Sequence, residues 1–442
     1  MKRPRIKTPL PGPRARIILR QESKYVSPSY TRAYPAVIER GKGAWVTDVD
    51  GNIFLDFTSG IGVLATGHCH PEIIKVIKEQ SARLIHMSGT DFYYAPQSIL
   101  AEKLAEIVPG AKNKKVFFGN SGAEAVECAM KLARYYHRRP RFIAFTGAFH
   151  GRTFGALSLT ASKVAQIRHF APLLPDVTHI PYAYCFRCPF YVNYPSCDLV
   201  CVKYIEDTVF KKIIPPEEVA AIFVEPIQGE GGYIVPPKEF IVALRKISHK
   251  YDILLVDDEV QAGMGRTGKM FAIEHFGVKA DIYCLAKGIA SGLPLGACIS
   301  NAGIMEWPPG AHASTFGGNP VSCAAALKTI ELLEHGLIEN VAKLGEIAMA
   351  RLREMEQRYD FIGEVRGKGF MIGIELVADK ASREPVHDKR DAVVYEAFKN
   401  GLLILGAGES TLRLIPPLIT NESELQVGLD ILDKAIRKIF RV

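Results

Sequence analysis

The sequence predicts an α/β fold with a large domain built on a mostly parallel sheet and a smaller α+β domain. The chain has 442 residues, which exceeds what a single hydrophobic core usually supports. Its central part alternates strand-like apolar runs with helical segments, as parallel sheets do, and such sheets bind ligands outside the strand ends. From about residue 325 onward, helices alternate with short strands. We therefore expect an N-terminal arm and hairpin over residues 1–58, the large domain over 59–324 and the small domain over 325–442.

The N-terminal region combines a basic arm with a hairpin signal. Among the first twenty residues, seven are Lys or Arg and four are Pro. This composition favours an extended arm over a helix, and the arm either lies across a partner subunit or is a solvated tail. Residues 44–48 and 53–57 are strand-like and flank Asp50-Gly51-Asn52, which predicts a β-hairpin.

A small-residue turn follows the next strand-like run, residues 116–118. It reads Gly119-Asn120-Ser121-Gly122-Ala123 and enters a helix that runs to about residue 138. A strand, a tight turn and a helix N-terminus together make an anion site, because backbone N–H groups and the helix dipole point at the same spot. Taken alone this signal is weak, since glycine turns before helices usually only reverse the chain.

Two further strands deliver aromatic and charged residues. Residues 141–145 precede Phe149, which can stack on a flat ring, and Arg152, whose guanidinium can hold a carboxylate through two hydrogen bonds. The alternative for Arg152 is an arginine in solvent at a helix start. The buried run over 220–224 leads directly to Glu225.

The clearest chemical signal lies at the ends of two successive apolar runs. Residues 253–256 end in Asp257-Asp258-Glu259, with Gln261 shortly after, and residues 282–286 lead into Lys287. Catalysis by pyridoxal 5'-phosphate (PLP) needs such a pair: a lysine forms a Schiff base with the aldehyde, and a carboxylate facing the ring nitrogen keeps it protonated. Lys287 fits the first role and Asp258 the second. An exposed loop lysine and a helix-capping aspartate are the alternative.

The stretch LLVDDEVQAGMGRTG, followed by LAKGIASGLPLGA, closely resembles the class III (omega) aminotransferases of PLP fold type I. The resemblance covers nearly all of residues 35–440 and implies a PLP-dependent transferase fold in which the N-terminal hairpin joins the small domain. Because relatives reach the phosphate of the opposite subunit with the threonine of the Ser314-Thr315 motif, it also implies an obligate homodimer. The cofactor-binding residues that it implies are Ser121, Gly122, Ala123, Phe149, Glu225, Asp258, Gln261, Lys287 and Thr315.

The resemblance further implies a switch between two unlike substrates. In the family, the residue matching Glu230 masks the one matching Arg413 for an ω-amine and releases it for an α-carboxylate, while Arg152 holds the other carboxylate. We therefore expect transfer of the terminal amino group of an ω-amino acid, of the 4-aminobutyrate or ornithine type, to 2-oxoglutarate, which gives a semialdehyde and glutamate. A PLP-dependent amino-acid racemase or epimerase on the same scaffold stays open as the alternative.

Charge and hydropathy exclude other classes. The formal charge is +8, but the basic residues are dispersed beyond the N-terminal arm and no nucleic-acid-binding signature accompanies them, so we expect no nucleic-acid partner. No apolar stretch reaches membrane-spanning length, and the N-terminus lacks the apolar core of a signal peptide. We expect a cytoplasmic protein without a membrane partner.

The cysteines raise one more alternative. Nine cysteines without a secretory signal argue for reduced thiols. Four of them fall in the segment YCFRCPFYVNYPSCDLVC, and clustered thiols that begin with C-x2-C can bind zinc or an iron–sulfur cluster. The eight-residue gap before the third thiol is short for a zinc ribbon, so we expect no metal and leave a disulfide open. The four are Cys185, Cys188, Cys197 and Cys201.

Overall fold

The computed structural model of the protein describes residues 2–442. The strands in this part of the chain are β1 (Ile38–Lys42), β2 (Trp45–Asp48), β3 (Ile53–Asp56), β4 (Lys114–Gly119), β5 (Arg141–Phe145), β6 (Val177–Ile180), β7 (Val219–Val224), β8 (Leu254–Asp258), β9 (Ile282–Leu285), β10 (Gly296–Asn301), β11 (Ile362–Lys368), β12 (Met371–Leu376), β13 (Leu402–Leu403), β14 (Leu405–Ala407) and β15 (Thr411–Leu414).

The α-helices are α1 (Pro13–Tyr25), α2 (Ser59–Gly62), α3 (Pro71–Arg83), α4 (Ala95–Ile107), α5 (Gly122–His137), α6 (Phe154–Leu159), α7 (Val200–Tyr204), α8 (Lys238–Lys250), α9 (Pro320–Leu332), α10 (Ile338–Arg358), α11 (His387–Lys399) and α12 (Glu422–Phe440). Short 3-10 segments lie at Val164–Gln166, Cys185–Arg187, Pro216–Glu218, Ala272–His275 and Lys287–Ala290, and π turns at Ile205–Phe210 and Leu333–Leu337.

A seven-stranded sheet in the order β4-β10-β9-β8-β7-β5-β6 forms the centre of the fold. β9, β8, β7, β5 and β6 pair in parallel, while β10 is antiparallel to both β9 and β4, so six of these strands run in one direction. Every residue of β7, β8 and β9 is buried, which explains why their sequences are apolar runs, interrupted only by the two aspartates that end β8. The carboxyl ends of β4, β5, β7, β8 and β9 therefore meet at one edge.

Helix α5 covers one face of this sheet. It packs on β4, β9 and β10, and its buried positions Ala125, Cys128, Ala129, Leu132 and Ala133 recur at the spacing of one helical face. Because α5 follows β4 directly, its N-terminus lies at the carboxyl edge of the sheet. This is the local geometry that the turn before α5 predicts.

Two four-stranded sheets complete the fold. The predicted hairpin is present: β2 and β3 pair antiparallel, and β3 also pairs in parallel with β13 from the C-terminal part of the chain. The other sheet, β11-β12-β15-β14, is antiparallel and carries Arg413 on β15. The predicted α/β class, with a mostly parallel large sheet and a smaller α+β part, is confirmed.

The extended arm predicted for the first twenty residues is wrong from residue 13 onward, because α1 begins there. All four prolines lie at or before Pro13, and a proline in the first helical turn removes an N–H that has no helical partner anyway. The carboxylate of Asp50 accepts hydrogen bonds from the N–H groups of Arg14 at 2.8 Å and Ala15 at 2.9 Å, so the hairpin turn caps the helix. None of the helices within residues 2–442 has the length and apolar character needed to cross a bilayer.

Candidate active site

A cavity of about 390 Å³ opens at the carboxyl edge of the central sheet. The turns after β4, β5, β7, β8 and β9 form its walls, so residues far apart in sequence share one space. Thr315 and Arg413 do not line it. The predicted site residues on its wall are Ser121, Gly122, Ala123, Phe149, Arg152, Glu225, Glu230, Asp258, Gln261 and Lys287.

The inner end of the cavity holds a carboxylate that is fixed from two sides. Asp258 is 4% exposed; its Oδ2 lies 2.7 Å from Nδ1 of His150, and its Oδ1 accepts the N–H of Val260 at 3.0 Å. Burial alone would lower the pKa of His150, but the hydrogen bond and the charge of Asp258 raise it above its ordinary value. The contacts with His150 and with the Val260 amide leave Asp258 little freedom to turn.

Lys287 follows β9 by two residues and faces the same cavity. Its φ of 45° lies in the left-handed region, which is uncommon for residues other than glycine. Burial lowers the pKa of its amine, although Asp258 and Glu225 oppose that change. A lysine in this setting releases its proton more easily than one in water.

The start of α5 supplies the anion site. Ser121 caps the helix, its Oγ accepting the N–H of Glu124 at 3.2 Å. The N–H groups of Gly122 and Ala123 have no acceptor among residues 2–442, as expected for a first helical turn. A Cβ on Gly122 would lie 2.7 Å from Cγ1 of Val260, so glycine is required for this close approach. Both residues line the cavity, so two amides without an acceptor are available there to a bound anion.

Glu225 connects the backbone at Phe149 to the turn after β7. Its carboxyl accepts the N–H of Phe149 at 2.9 Å and that of Gly229 at 2.8 Å. Burial raises the pKa of Glu225 to about 7, although the nearby charge of His150 opposes this rise, and Asp258 adds a smaller increase. Phe149 is half-buried on the cavity wall.

Arg152 stands at the mouth of the cavity. Its guanidinium lies 5.3 Å from the centre of the Phe149 ring, and its side chain is exposed. Arg152 lines the cavity, and its role in holding a carboxylate stays a prediction beside the alternative of a solvated arginine.

Glu230 and Arg413 form an ion pair although 183 positions separate them in sequence. Nη1 of Arg413 lies 3.0 Å from Oε2 of Glu230, and Nζ of Lys163 lies 2.5 Å from Oε1. Burial alone would raise the pKa of Glu230, but the charges of Arg413 and Lys163 lower it. Glu230 is thus a carboxylate between two cations.

Sequence reasoning missed three contributors to the site. His150 lies between Phe149 and Arg152, both of which the sequence predicts to be functional. Its position within that run was the signal that could have identified it. Tyr233 donates to Oε1 of Gln261 at 2.8 Å and holds it in the wall. Lys163 carries no local signal, because it follows an ordinary loop.

The residues that line the cavity fit PLP. The free amides of Gly122 and Ala123 suit its phosphate, the ring wall of Phe149 suits a stacked pyridine, and the fixed carboxylate of Asp258 suits a protonated ring nitrogen. Lys287 is the amine in the same space.

The cysteine segment lies apart from the site. Its four thiols line one small cavity of about 20 Å³, and all four are free. Within residues 2–442, no group of three or more His, Cys, Asp or Glu side chains is placed to hold a metal ion. The metal-free loop stays a prediction that elemental analysis of the purified protein tests.

Known proteins resemble this chain over nearly its whole length. A family model described as aminotransferase class-III matches residues 25–436. An alanine/serine racemase of Pyrococcus horikoshii is 41% identical over 99% of this chain and 93% of its own length. A probable 4-aminobutyrate aminotransferase of Bacillus subtilis is 39% identical over 94% of this chain and 96% of its own length.

A solved structure agrees with these matches. An amine transaminase from an uncultivated Pseudomonas species, in its PLP-bound form, is similar with a TM-score of 0.87 and 31% sequence identity. The similarity covers 94% of this chain and 99% of that one.

Proposed function

The chain belongs to the class-III aminotransferases, which are PLP-dependent enzymes, and from this premise we propose that it moves the terminal amino group of an ω-amino acid to 2-oxoglutarate. The donor is of the 4-aminobutyrate or ornithine type, and the products are a semialdehyde and glutamate. The observation that carries this proposal is the ion pair of Glu230 with Arg413 beside the cavity that Arg152 also faces.

The two arginines account for both substrates. A dicarboxylate such as 2-oxoglutarate can place its α-carboxylate on Arg413 and its distal carboxylate on Arg152, provided that Glu230 moves aside. An ω-amino acid has one carboxylate to place near the mouth, so Arg152 holds it while Glu230 stays on Arg413. The terminal amine then reaches inward to Lys287.

The inner residues serve proton transfer. Bound PLP supplies the electron sink for the carbon that carries the amine. Nζ of Lys287 takes the proton from that carbon and then releases it again. An amine whose pKa is lowered by burial is suited to both steps. Asp258, held by His150, keeps its charge at a fixed place. Leu293 and Leu295 add apolar wall that excludes water.

Amino-acid racemisation is a second candidate, favoured by the similarity to the alanine/serine racemase. That reaction needs a proton to return to either face of one carbon and has no use for alternating between two substrates. The Glu230–Arg413 pair supports transamination over racemisation for this reason.

One experiment separates the two candidates. The PLP-loaded protein is incubated with 2-oxoglutarate and either 4-aminobutyrate or ornithine, and glutamate is quantified; L-alanine and L-serine without an oxo acid are tested for their D-enantiomers. We expect glutamate from the first incubation, and Lys287→Ala as the control that gives neither product. Accumulation of D-amino acid without glutamate would establish racemisation and overturn the proposed transfer.

We also propose a homodimer that resides in the cytoplasm. Thr315 is exposed, and Phe316 beside it is 62% exposed, an apolar side chain that a second subunit would cover. The nine free cysteines suit a reducing compartment. Light scattering on the purified protein measures the subunit number, and a monomer at micromolar concentration would contradict the dimer.

A further inference from the structure

The proposed switch between two substrates assigns no role to the cation of Lys163. Among residues 2–442 its ammonium makes one ion pair, with Oε1 of Glu230 at 2.5 Å, while Arg413 holds the opposite oxygen at 3.0 Å. The carboxylate of Glu230 is therefore shared between two cations from different parts of the chain.

The two cations differ in how firmly the fold holds them. Arg413 lies within β15, pairs across the sheet with Gly373, and its side chain is 8% exposed. Lys163 lies in the loop between α6 and the 3-10 segment Val164–Gln166, and its side chain is 44% exposed. Arg413 is thus a fixed charge, whereas Lys163 can follow a moving partner.

The backbone of Glu230 is anchored, so movement is confined to its side chain. The carbonyl of Glu230 accepts the N–H of Gly408 at 2.8 Å. On the side of Lys163 there is a second cavity of about 650 Å³, which is lined by Lys163 and by both Gln228 and Gly231 next to Glu230. Because Lys163 lines this second cavity and is partly exposed, its side chain has room to adjust when the Glu230 carboxylate moves.

Other cations around the second cavity are already engaged. Arg187 is paired with Glu375, with N–O distances of 2.9 and 3.0 Å. Nη1 of Arg390 donates to the backbone carbonyls of Gly408 and Glu409. Lys163 is the lining cation whose charge faces Glu230.

We propose that Lys163 is a specificity-determining residue that receives the carboxylate of Glu230 when a substrate α-carboxylate takes its place on Arg413. A carboxylate that is 18% exposed would lose its counter-charge on leaving Arg413, and an unpaired buried charge is strongly unfavourable. Lys163 keeps that charge paired in both positions of the switch. This inference rests on the proposed function, because a switch matters only when two unlike substrates alternate.

The test compares Lys163→Met, Lys163→Arg and the control Lys211→Met in the PLP-loaded enzyme. Lys211 is an exposed lysine paired with Asp207 at 2.6 Å and lines neither cavity. Each half-reaction is followed through kcat/KM, once for 4-aminobutyrate and once for 2-oxoglutarate, and calorimetry measures the Kd of glutarate, a dicarboxylate that does not react.

We expect Lys163→Met to lower kcat/KM for 2-oxoglutarate by about three- to fivefold and to raise the Kd of glutarate by the same factor, as fits a partly exposed charge pair. The kcat/KM for 4-aminobutyrate should change by less than about twofold. Lys163→Arg should restore both kcat/KM for 2-oxoglutarate and the Kd of glutarate, because it keeps the cation. Lys211→Met should match the wild type.

Two other results would overturn the inference. Equal losses on both substrates would mean that Lys163 only supports the local structure, and an unchanged glutarate Kd would mean that Glu230 needs no second partner. If the wild type forms no glutamate from any ω-amino acid, the proposed function fails together with the switch, which is distinguishable from failure of Lys163 alone.

Discussion

The charged side chains at the inner end of the cavity and at its mouth differ in how firmly their partners hold them. The inner residues are Asp258, His150 and Lys287, which lie at the end of β8, in the loop after β5 and just after β9. At the mouth, Arg152 and Glu230 line the cavity, and Glu230 is paired with Lys163 and Arg413. Asp258 is fixed by two hydrogen bonds, whereas Arg152 is exposed and Glu230 is shared between two cations.

This difference separates chemistry from substrate choice. A buried, fixed carboxylate suits one permanent partner, because rearranging it would expose an unpaired charge inside the protein. At the mouth, Arg152 and Lys163 are exposed, so water screens their charges, and Lys163 keeps Glu230 paired while its other partner changes. Substitutions at the inner end should therefore abolish every reaction of the enzyme, and substitutions at the mouth should change which substrates it accepts.

The largest effect is expected for Lys287→Ala. Removal of the amine should end covalent, borohydride-reducible attachment of PLP and lower turnover by about 10⁴-fold, the upper end for one proton-transfer group. Absorbance spectra and mass analysis after reduction measure the attachment. A variant that still carried reduced, covalently bound cofactor would assign the attachment to another lysine.

Asp258→Asn should come next. The amide keeps the size of the side chain but removes the charge that His150 faces, so PLP should still bind while turnover falls by about 10²–10³-fold, as when one preorganised electrostatic contact is lost. Cofactor content and kcat, determined on the same preparation, separate binding from catalysis. Unchanged turnover would remove Asp258 from the chemistry.

The inner end was largely predictable from sequence, and the mouth was not. Continuous apolar runs that end in Asp258 and Lys287 reveal buried parallel strands, whose carboxyl ends must share an edge. The pairing of Glu230 with Arg413 depends on where a small sheet docks, which no local pattern encodes, so it came from resemblance. The arm was mispredicted because its proline content was taken as evidence against a helix. The position of Pro13 matters more, since it begins a helix instead of breaking one.

Arg152→Gln should have a moderate, substrate-selective effect. Because Arg152 is exposed, its bond to a carboxylate is partly screened, and we expect KM for 4-aminobutyrate to rise about tenfold, equivalent to about 1.4 kcal/mol. A plain alkylamine should be unaffected, since it has no carboxylate to place. The exposed Arg168, changed to Gln, is the control. An equal loss on both amines would contradict the carboxylate role.

The smallest effect on activity is expected one residue before Asp258. Asp257 does not line the cavity, since successive strand residues face opposite sides of the sheet. It is fully buried, and both of its oxygens lack a hydrogen-bond partner outside the neighbouring carboxyl of Glu259. Burial, with the nearby Glu259, raises the pKa of Asp257 well above its ordinary 3.8, and burial raises the pKa of Glu259 to about 8.

A raised folded-state pKa means that the folded protein keeps a proton that the unfolded chain releases. Stability from this source is fully present below about pH 4 and is lost as pH rises from there toward the folded-state pKa values. Asp257→Asn removes that proton while its amide can still donate to Glu259. The variant should match the wild type near pH 4.5 and exceed it near pH 8, by about 1–3 °C in Tm for a chain of this size. Its kcat should stay near the wild-type value, whereas the same change at Asp258 should not leave kcat intact. A Tm difference that is constant with pH would show that Asp257 is already ionised in the folded protein.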